Sequence, residues 1–407
     1  MSNRMFGDEV DEEDELTMLV CQWLDERGYK ETLASLEHNS GKIYNPDQIK
    51  MGSQLNYIYN EHKELQTSAA FAEMAIDDED QDLNDIGNGN YPKELEEQYF
   101  EIHKSNILAC RFLNSPNCNI IVTGSTDKTI KVTDFITQKV LYTFSEISHA
   151  PFISLDFSPI DPELLLASSV DGSTSLLRIN STTGEGEVVQ QFKDHVKYVV
   201  RVRWSPNGDR FATCSYDKTL KYYQRDQQDT SKFVLVNSIE FPFSLESLIF
   251  TPDSERIITA CRESNYIQYV SFADGSIEKF NMNANGDDHV SFSAMEFGIS
   301  PNKKYLLVST DRNRLILFKL GTDKQLRNFY GAFNDNFCTT RNTFDVTGQY
   351  IYSTSQDNQI YVWDVSTQKV VSKLKQHTSS IRDLSIHPTL NLLASCSFDK
   401  SVCIWKA

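Results

Sequence analysis

"SPNGDRFATCSYDKTLKYY", residues 205–223, holds two short runs of residues on either side of an Asp-centred turn. Alternation of apolar and polar residues in such runs is typical of two antiparallel strands joined by a tight turn. The pattern returns in six other parts of the chain, at residues 119–135, 161–179, 251–270, 300–320, 347–365 and 387–405. Self-similarity at a period of roughly 40 to 50 residues indicates a repeat architecture, in which each repeat is one small unit of strands.

Histidines and aspartates keep phase with these repeats. Six copies carry an aspartate in the turn: Asp127, Asp171, Asp217, Asp311, Asp357 and Asp399. Four histidines stand 22 residues before their turn aspartate, and His103 stands 24 residues before Asp127; the four are His149, His195, His289 and His377. The copy at 251–270 is degraded, with Arg262 in its turn.

These features resemble the WD-repeat family, since Trp363-Asp364 keeps the dipeptide that names it and Trp405 keeps the tryptophan. The resemblance implies a mainly β fold, a seven-bladed β-propeller over residues 95–407, preceded by a small α-helical segment and an acidic linker. It also implies that the phased His and Asp residues, with Trp363 and Trp405, are structural, because buried polar groups inside a blade need hydrogen-bond partners.

Two catalytic or metal-binding alternatives weigh less than the structural interpretation. Sets such as His195, Ser215 and Asp217 have the residue types of a nucleophilic triad, but an enzyme needs one triad and this set recurs around the ring. Cys214, Cys261 and Cys396 share one strand position just before the turn. Cysteines in separate blades cannot share one ion, so we expect core packing there.

The last repeat predicts how the ring closes. "SVCIWKA", residues 401–407, ends after the third strand of that repeat. An alternating stretch at about residues 96–103 can supply the fourth, outer strand, which leaves no open edge at the seam. The acidic head would then emerge at the seam between the first and last blades.

Charge is distributed unevenly. Residues 1–97 hold 24 acidic and 7 basic side chains, a balance of −17 out of the total of −18, which leaves −1 for the rest. An acidic head argues against a nucleic-acid or anionic-membrane surface in that part. No apolar run reaches the length of a membrane span, and the eight cysteines form no CxxC pair. We therefore expect no membrane partner and an intracellular protein, nuclear or cytoplasmic, with the nucleus slightly favoured.

Residues 13–45 carry a second pattern. Apolar residues recur at helical spacing, Gly28 suits the end of a helix where a positive φ is needed, and Tyr29 is expected to turn inward. The stretch resembles a LisH motif, a short helical dimerisation element named after a lissencephaly protein. That resemblance implies a homodimer through Leu16, Leu19, Val20, Leu24, Gly28, Tyr29, Thr32, Leu33 and Leu36. Docking of the helix pair onto the chain's own propeller is the alternative.

Two segments connect this motif to the repeats. Residues 46–76 predict an additional amphipathic helix region, which can lengthen the dimer face. Residues 77–94 are rich in acids, Gly and Asn, and are expected to form a flexible, solvated linker. A mere spacer and a docking strip for a basic partner are both open. Some LisH proteins of a ubiquitin-ligase family continue into a longer helical domain, for which too little chain remains here.

No catalytic motif survives inspection, so we expect no enzyme, no cofactor and no metal site. The predicted function is a non-catalytic scaffold that dimerises through its LisH motif and binds partner proteins on the propeller face. It would act within a larger nuclear or cytoplasmic complex, for which the transcription, corepressor or mRNA-processing type is favoured. A ubiquitin-ligase or dynein adaptor and an RNA- or DNA-binding propeller are the alternatives. The resemblance places the partner-binding residues after each blade-opening histidine and beside the turns: Phe152, Tyr198, Arg201, Tyr216, Arg262, Phe292, Arg341, Arg382 and Phe398. Aromatic and Arg side chains are enriched at interface hot spots.

Overall fold

The computed structural model describes residues 12–45, 78–115, 118–283, 292–334 and 339–407. The chain divides into two compact units, residues 1–74 and 75–407. The predicted helix region at 46–76 lies outside the described residues, as do His289 and the side chain of Leu16. None of the helices in the described part is both long and apolar enough to cross a membrane.

The first unit contains two helices, α1 (Glu12–Glu26) and α2 (Lys30–Ser40). Gly28 has φ +79° at the corner between them, and Gly41 has φ +71° at the end of α2, which L side chains adopt with difficulty. The glycine corner is therefore confirmed. The prediction that Tyr29 turns inward is wrong. Its ring lies 5.9 Å from the ring of Trp23 but stays 53% exposed, because it packs on one side only.

The second unit is a seven-bladed β-propeller. Its described residues form 28 strands in seven four-stranded antiparallel sheets, each built from consecutive strands except the last. Blades 1 to 3 are β2 (Ile107–Phe112), β3 (Ile120–Ser125), β4 (Ile130–Asp134) and β5 (Lys139–Phe144); β6 (Phe152–Phe157), β7 (Leu164–Ser169), β8 (Thr174–Ile179) and β9 (Gly186–Phe192); and β10 (Val199–Trp204), β11 (Arg210–Ser215), β12 (Thr219–Arg225) and β13 (Phe233–Glu240).

Blades 4 to 7 follow the same plan. They are β14 (Leu245–Phe250), β15 (Arg256–Cys261), β16 (Tyr266–Ser271) and β17 (Ile277–Asn281); β18 (Ala294–Ile299), β19 (Tyr305–Thr310), β20 (Arg314–Lys319) and β21 (Gln325–Tyr330); β22 (Asn342–Phe344), β23 (Tyr350–Thr354), β24 (Gln359–Asp364) and β25 (Val370–Lys375); and β26 (Ile381–Ile386), β27 (Leu392–Ser397) and β28 (Val402–Lys406) with β1 (Glu94–Tyr99).

The ring closes through β1. This strand pairs antiparallel with β28, with Tyr99 opposite Val402, and so supplies the outer strand of blade 7. The sequence placed that strand at about 96–103, whereas it ends at Tyr99 because His103 belongs to the turn network of blade 1. The first strands of neighbouring blades contact one another in order, and β26 contacts β2.

The core lies between the blades. The second strands β3, β7 and β19 are buried along their whole length, whereas outer strands such as β5 are mostly exposed. Cys214, Cys261 and Cys396 are fully buried, as the repeat phase predicts. The seven cysteines of the described ranges are all free and buried, which is the small-hydrophobe behaviour of a core thiol.

The structure differs most from the prediction at residues 77–94, which were expected to form a solvated linker. Residues 80–91, which we call the strap, lie against the propeller and include the end of a short 3₁₀ segment, Asp78–Asn84. Asp80, Leu83 and Tyr91 are buried, and Asp82 contacts blade 5. The chain preceding β1 therefore continues past the seam, across blade 6 to blade 5. The acid content suggested solvation, but cationic and hydroxyl groups of blade 5 supply partners for the carboxylates.

Candidate functional site

Three Asp turns are fixed by the same hydrogen-bond network. His195 Nδ1 lies 2.9 Å from Asp217 Oδ2, and its Nε2 lies 2.8 Å from Thr213 Oγ1. His103 with Asp127 and Thr123, and His377 with Asp399 and Ser395, repeat this arrangement at 2.8 to 3.0 Å. Each network joins a turn to the strand before it and to the loop that opens the blade. The arrangement anchors loops, as the sequence predicts for these three pairs.

The protonation states suit an anchoring role. Burial lowers the pKa of His195, so the imidazole is neutral near pH 7; Nδ1–H then donates to Asp217 and Nε2 accepts from the Thr213 hydroxyl. Burial alone would raise the pKa of Asp217, but hydrogen bonds from Thr219 and from the Val196 N–H outweigh it and lower that pKa. The carboxylate therefore stays charged and holds its turn.

Blade 2 corrects the prediction for His149. That side chain is exposed, and Asp171 Oδ2 instead accepts a hydrogen bond of 2.7 Å from the Ser148 hydroxyl. Ser148 also bonds Ser169 at 2.8 Å, the strand residue just before the turn. The hydroxyl, one residue earlier in the chain, takes the place that an imidazole fills in blades 1, 3 and 7.

Two further turns use other partners. Asp311 Oδ1 accepts from the Ser293 N–H at 2.8 Å, while Asp357 Oδ2 accepts from the Tyr361 hydroxyl at 2.8 Å. The predicted tryptophans are buried as expected. Trp363 Nε1 donates to Tyr330 O at 2.8 Å, and Trp405 Nε1 donates to Ser395 Oγ at 2.9 Å, within the blade 7 network.

The Asp turns and the loops that open the blades lie at one end of the propeller. Backbone hydrogen bonds join the two kinds of loop, from Tyr216 N to Tyr198 O and from Arg262 N to Ser244 O. We call this end the turn face. Side chains of both loops in blades 3 and 4 are thereby brought to the same surface.

Four side chains form a cluster there, which we call the tyrosine cluster: Tyr198, Tyr216, Glu246 and Arg262. The two tyrosine rings lie 5.7 Å apart at 41°, a distance at which aromatic rings attract. Arg262 Nη1 donates to Glu246 Oε1 at 2.9 Å and to Tyr216 Oη at 3.1 Å. The arginine therefore links the partly buried Tyr216, and through it the half-exposed Tyr198, to a buried carboxylate.

The charges of Arg262 and Glu246 are paired with each other. The pair holds the cluster in place and leaves little attraction for an acidic ligand. Burial raises the pKa of Glu246, even though Arg262 acts in the opposite direction. Burial acts against the charge of Arg262 as well, but Glu246 and Tyr216 outweigh it and raise the pKa of the guanidinium. Because the ion pair neutralises itself, the surface that remains for a ligand is aromatic.

Exposed apolar side chains lie in the same blade-opening loops as the cluster. Tyr198 is 51% exposed, Val196 84% and Phe243 43%. Glu246, Val196 and Phe243 were missed by the sequence reasoning. A signal was present for two of them, because Val196 and Phe243 precede the first strands β10 and β14, at the loop positions where apolar side chains have no blade to enter.

Four of the nine predicted partner-binding residues are instead buried. Phe152 and Phe292 are core residues, fully or almost fully buried, while Arg201 and Arg341 are 1% and 6% exposed. Phase placed them near the turn face but did not fix their direction. The rings of Phe152 and Phe292 enter the core between blades, and the guanidinium groups of Arg201 and Arg341 reach the Glu296 carboxylate.

The two remaining residues form a separate pair. The guanidinium of Arg382 lies 5.0 Å from the ring centroid of Phe398, and Arg382 also donates to Thr339 Oγ1. This cation–π contact lies at the blade 7 turn, where Phe398 N bonds Ser380 O. Of the nine predicted residues, the structure therefore brings together one trio and one pair at the turn face, while Arg201 and Arg341 meet at Glu296 inside the ring.

Ion pairs cross the central channel. Arg201 Nε of blade 3 donates to Glu296 Oε2 of blade 5 at 2.8 Å, and Arg203 Nη2 and Arg341 Nη1 reach the same carboxylate at 3.1 Å. Blade 4 separates blades 3 and 5 in the ring, so Arg201 and Arg203 reach Glu296 only through the central channel. On the opposite side, Arg111 Nη1 donates to Asp383 Oδ2 at 2.7 Å.

These ion pairs fill the channel with charge at this level. Burial acts against the charge of Glu296, but Arg201, Arg341 and Arg203 outweigh it and lower its pKa. Burial and the nearby Arg201 lower the pKa of Arg341 to about 9. Within the described ranges, no group of three His, Cys, Asp or Glu side chains is placed to hold a metal ion.

Comparison with known proteins agrees with this architecture. Four stretches match the family model "WD domain, G-beta repeat": residues 96–134, 186–224, 324–364 and 368–406. Each match begins on the outer strand of one blade and ends on the third strand of the next. The sequence repeat is therefore displaced by one strand from the structural blade, which is why β1 closes blade 7. The chain thus carries WD repeats.

Several known proteins are similar to this chain, two of them named as WD repeat-containing proteins. A WD repeat-containing protein 26 homolog of Arabidopsis thaliana is 23% identical over 259 residues, 63% of this chain and 41% of that protein. Protein tipD of Dictyostelium discoideum is 27% identical over 75% of this chain and 47% of its own length. A WD repeat-containing protein 26 homolog of Drosophila melanogaster is 25% identical, with shares of 73% and 45%. The chain spans less than half the length of these relatives.

Proposed function

We propose that this WD-repeat propeller is a non-catalytic scaffold, which binds a peptide segment of a partner protein at the tyrosine cluster within a larger nuclear or cytoplasmic complex. Propellers of this kind are generally protein-interaction scaffolds. One observation carries the assignment to this surface: the half-exposed ring of Tyr198 packs against the partly buried ring of Tyr216, which is held by Arg262 and Glu246. A rigid aromatic pair offers a large contact area at little cost in side-chain entropy.

The chemistry of the cluster defines the ligand. Its guanidinium is already paired with a carboxylate, so an acidic peptide gains little here. Val196, Tyr198 and Phe243 offer apolar and aromatic contact area instead. The proposed ligand is therefore a peptide anchored by an aromatic or large apolar side chain.

The experiment compares partners captured by the full chain and by two variants, with quantitative mass spectrometry. Tyr198→Ala with Tyr216→Ala should reduce capture of the bound partner by about tenfold or more, because truncating a hot-spot residue costs about 2 kcal/mol or more. The control is Leu141→Ala, an exposed apolar residue on β5. Equal capture by the tyrosine variant and by Leu141→Ala would contradict the assignment.

We further propose that the helix pair dimerises the scaffold. No residue of α2 is fully buried, and Leu33 and Leu36 are only partly covered. Tyr29 and Ile43 are exposed, at 53% and 83%. Two short helices with uncovered apolar residues are marginal alone in water, and a second copy of the pair can cover them. A dimer would present two propellers and gain avidity for repeated targets.

A further inference from the structure

The strap occupies a groove between blades 5 and 6, on the end of the propeller opposite the turn face. Its contacts lie at the β18–β19 and β22–β23 turns, and consecutive hairpin turns alternate between the two ends of a blade. Lys93 N donates to Lys406 O at 2.7 Å, and the Tyr91 ring lies 4.2 Å from the Tyr350 ring. The strap therefore runs from blade 7 over blade 6 to blade 5.

Two acidic side chains bind blade 5. Asp82 accepts hydrogen bonds from the Tyr305 hydroxyl and from Asn302 Nδ2, both at 2.6 Å, and its carboxylate lies 3.4 Å from Lys304 Nζ. Asp80 is 1% exposed and lies 3.4 Å from Lys319 Nζ. Hydrogen bonds from neutral and cationic donors converge on the two carboxylates, so this edge of the groove recognises acids.

One leucine anchors the strap between the blades. Leu83 is 4% exposed and belongs to the apolar cluster that blades 5 and 6 share, with Leu317, Phe344 and Val365 among its members. Removal of the leucine side chain from water stabilises the bound strap. The groove thus has an acid-binding edge and an apolar floor.

The propeller also binds the backbone of the strap. Gly87 N donates to Asp364 Oδ2 at 2.9 Å, and Gly89 N donates to Tyr350 Oη at 2.7 Å. A Cβ atom on Gly87 would lie 2.2 Å from Tyr350 Oη, so a side chain is excluded there. Recognition of side chains at one end and backbone at the other is how grooves hold extended peptides.

The fit of the strap is incomplete. A partly open cavity of about 120 Å³ remains beside Asp82 and Leu83, lined by polar residues such as Ser300, Asn302 and Gln349 and by apolar ones such as Leu317 and Phe344. Side chains that line a void lose dispersion contacts on that side. A larger apolar side chain in place of Leu83 would extend over the apolar part of this lining, so Leu83 does not use all of the contact area that the groove offers.

We propose that this groove is a second binding site, for short acidic segments of the form Asp-x-Asp-Φ in which Φ is a large apolar residue, and that the strap competes for it from within the chain. Its own sequence, "DQDL" at residues 80–83, is the weaker version of that ligand. Tethering gives the strap a local concentration on the order of millimolar, which a partner segment with a better anchor overcomes.

Fluorescence anisotropy with labelled peptides tests this proposal on the full chain. One peptide copies residues 78–90, a second carries phenylalanine at the position of Leu83, and a third carries aspartate there. The phenylalanine peptide should bind the wild type at least about tenfold more tightly than the first, because its ring extends over the apolar part of the lining. The aspartate peptide should not bind.

Two variants assign the binding to the groove. Leu83→Asp removes the anchor of the strap, and the vacated groove should then bind the first peptide at least about tenfold more tightly than the wild type does. Adding Lys304→Glu and Lys319→Glu should abolish that gain. Binding that is unchanged by Leu83→Asp, or that survives the two charge reversals, would overturn the proposal.

A measurement on the wild type covers the case in which Leu83→Asp fails to fold. Addition of saturating phenylalanine peptide should speed hydrogen exchange at the Gly87 and Gly89 amides, since a displaced strap loses its bonds to Asp364 and Tyr350. If the peptide binds while both amides keep their protection, the peptide lies elsewhere and the strap is a permanent part of the propeller.

Discussion

At the scale of single residues, two histidines with the same sequence phase have different surroundings. His195 is buried and bonds Asp217 and Thr213, whereas His149 is exposed and leaves Asp171 to Ser148. Spacing to the turn aspartate does not distinguish them. The difference depends on which side chain of the blade-opening loop points inward, and a hydroxyl one residue away is enough to change it.

This difference gives a prediction for stability. His195→Ala should lower the free energy of unfolding by about 1–3 kcal/mol, because Asp217 and Thr213 lose a buried partner. The control His149→Ala should change it by less than about 0.5 kcal/mol, as for other exposed sites. Urea denaturation of both variants at pH 7 is the measurement. Equal effects would show that phase, and not burial, sets the role.

The same network sets the direction of the pH dependence. Burial lowers the pKa of His195, so its contribution is complete above the unfolded pKa of about 6.5 and is lost as pH falls through the folded pKa. The lowered pKa of Asp217 adds a contribution that is lost only at pH below about 3.9. The stability difference between wild type and His195→Ala should therefore shrink between pH 7 and pH 5.

At the scale of elements, the helix pair and β1 show how the same chain builds two kinds of structure. α1 and α2 are joined by Gly28, whose positive φ allows Tyr29 N to bond Leu24 O at 2.9 Å. β1 adds the fourth strand that blade 7 lacks. β1 covers the otherwise open edge of blade 7. Residues 12–40, which form the helix pair, contribute nothing to the seven sheets, which is consistent with a separate role for that pair.

The proposed dimer can be tested by light scattering. The wild type should have twice the mass of one chain, which is 46.6 kDa. Leu19→Asp with Leu33→Asp should give a single chain, because a charge in an apolar helix interface is left without a partner. The control Lys30→Asp places the same side chain on an exposed position of α2 and should remain dimeric. A wild type with the mass of one chain at micromolar concentration would exclude the dimer.

At the scale of the whole molecule, the ring is held by hydrophobic clusters between blades and by charges across its axis. Arg201, Arg203 and Arg341 converge on the Glu296 carboxylate, and Arg111 pairs with Asp383. Arg201 and Arg203 thereby connect blade 3 to blade 5, which is not its neighbour, whereas the other two pairs join neighbouring blades. Removal of one partner from such a buried group leaves the others uncompensated.

Glu296→Gln should therefore destabilise the propeller by about 3–5 kcal/mol, because three buried guanidinium groups lose their shared counter-charge. Glu255→Gln is the matched control, since Glu255 is 61% exposed and pairs with Arg210 at 3.5 Å. Its effect should be below about 1 kcal/mol. Thermal and urea unfolding of both variants measure the difference. Similar losses in the two variants would show that the channel charges do not support the ring.

The sequence by itself determined the seven repeats, the hairpins with their Asp turns, the glycine corner of the helix pair and the strand that closes blade 7. All of these follow from local periods and turn residues, which act over a few neighbouring positions. The outer strand of blade 7 could also be predicted, because the last repeat has only three strands and an alternating stretch before the first repeat can supply the fourth.

Only the tertiary structure decided which side chains face a partner, which ion pairs cross the channel and where the acidic segment lies. Arg201 and Glu296 are 95 residues apart, and Asp80 and Tyr305 are 225 apart. No local pattern encodes such contacts, because they depend on how blades are arranged around the axis. Phe152 and Tyr198 follow the same rule of phase, yet one is buried and the other exposed. The direction of each side chain is set by the neighbouring blade, and the strap lies on the propeller because the groove offers partners to its carboxylates.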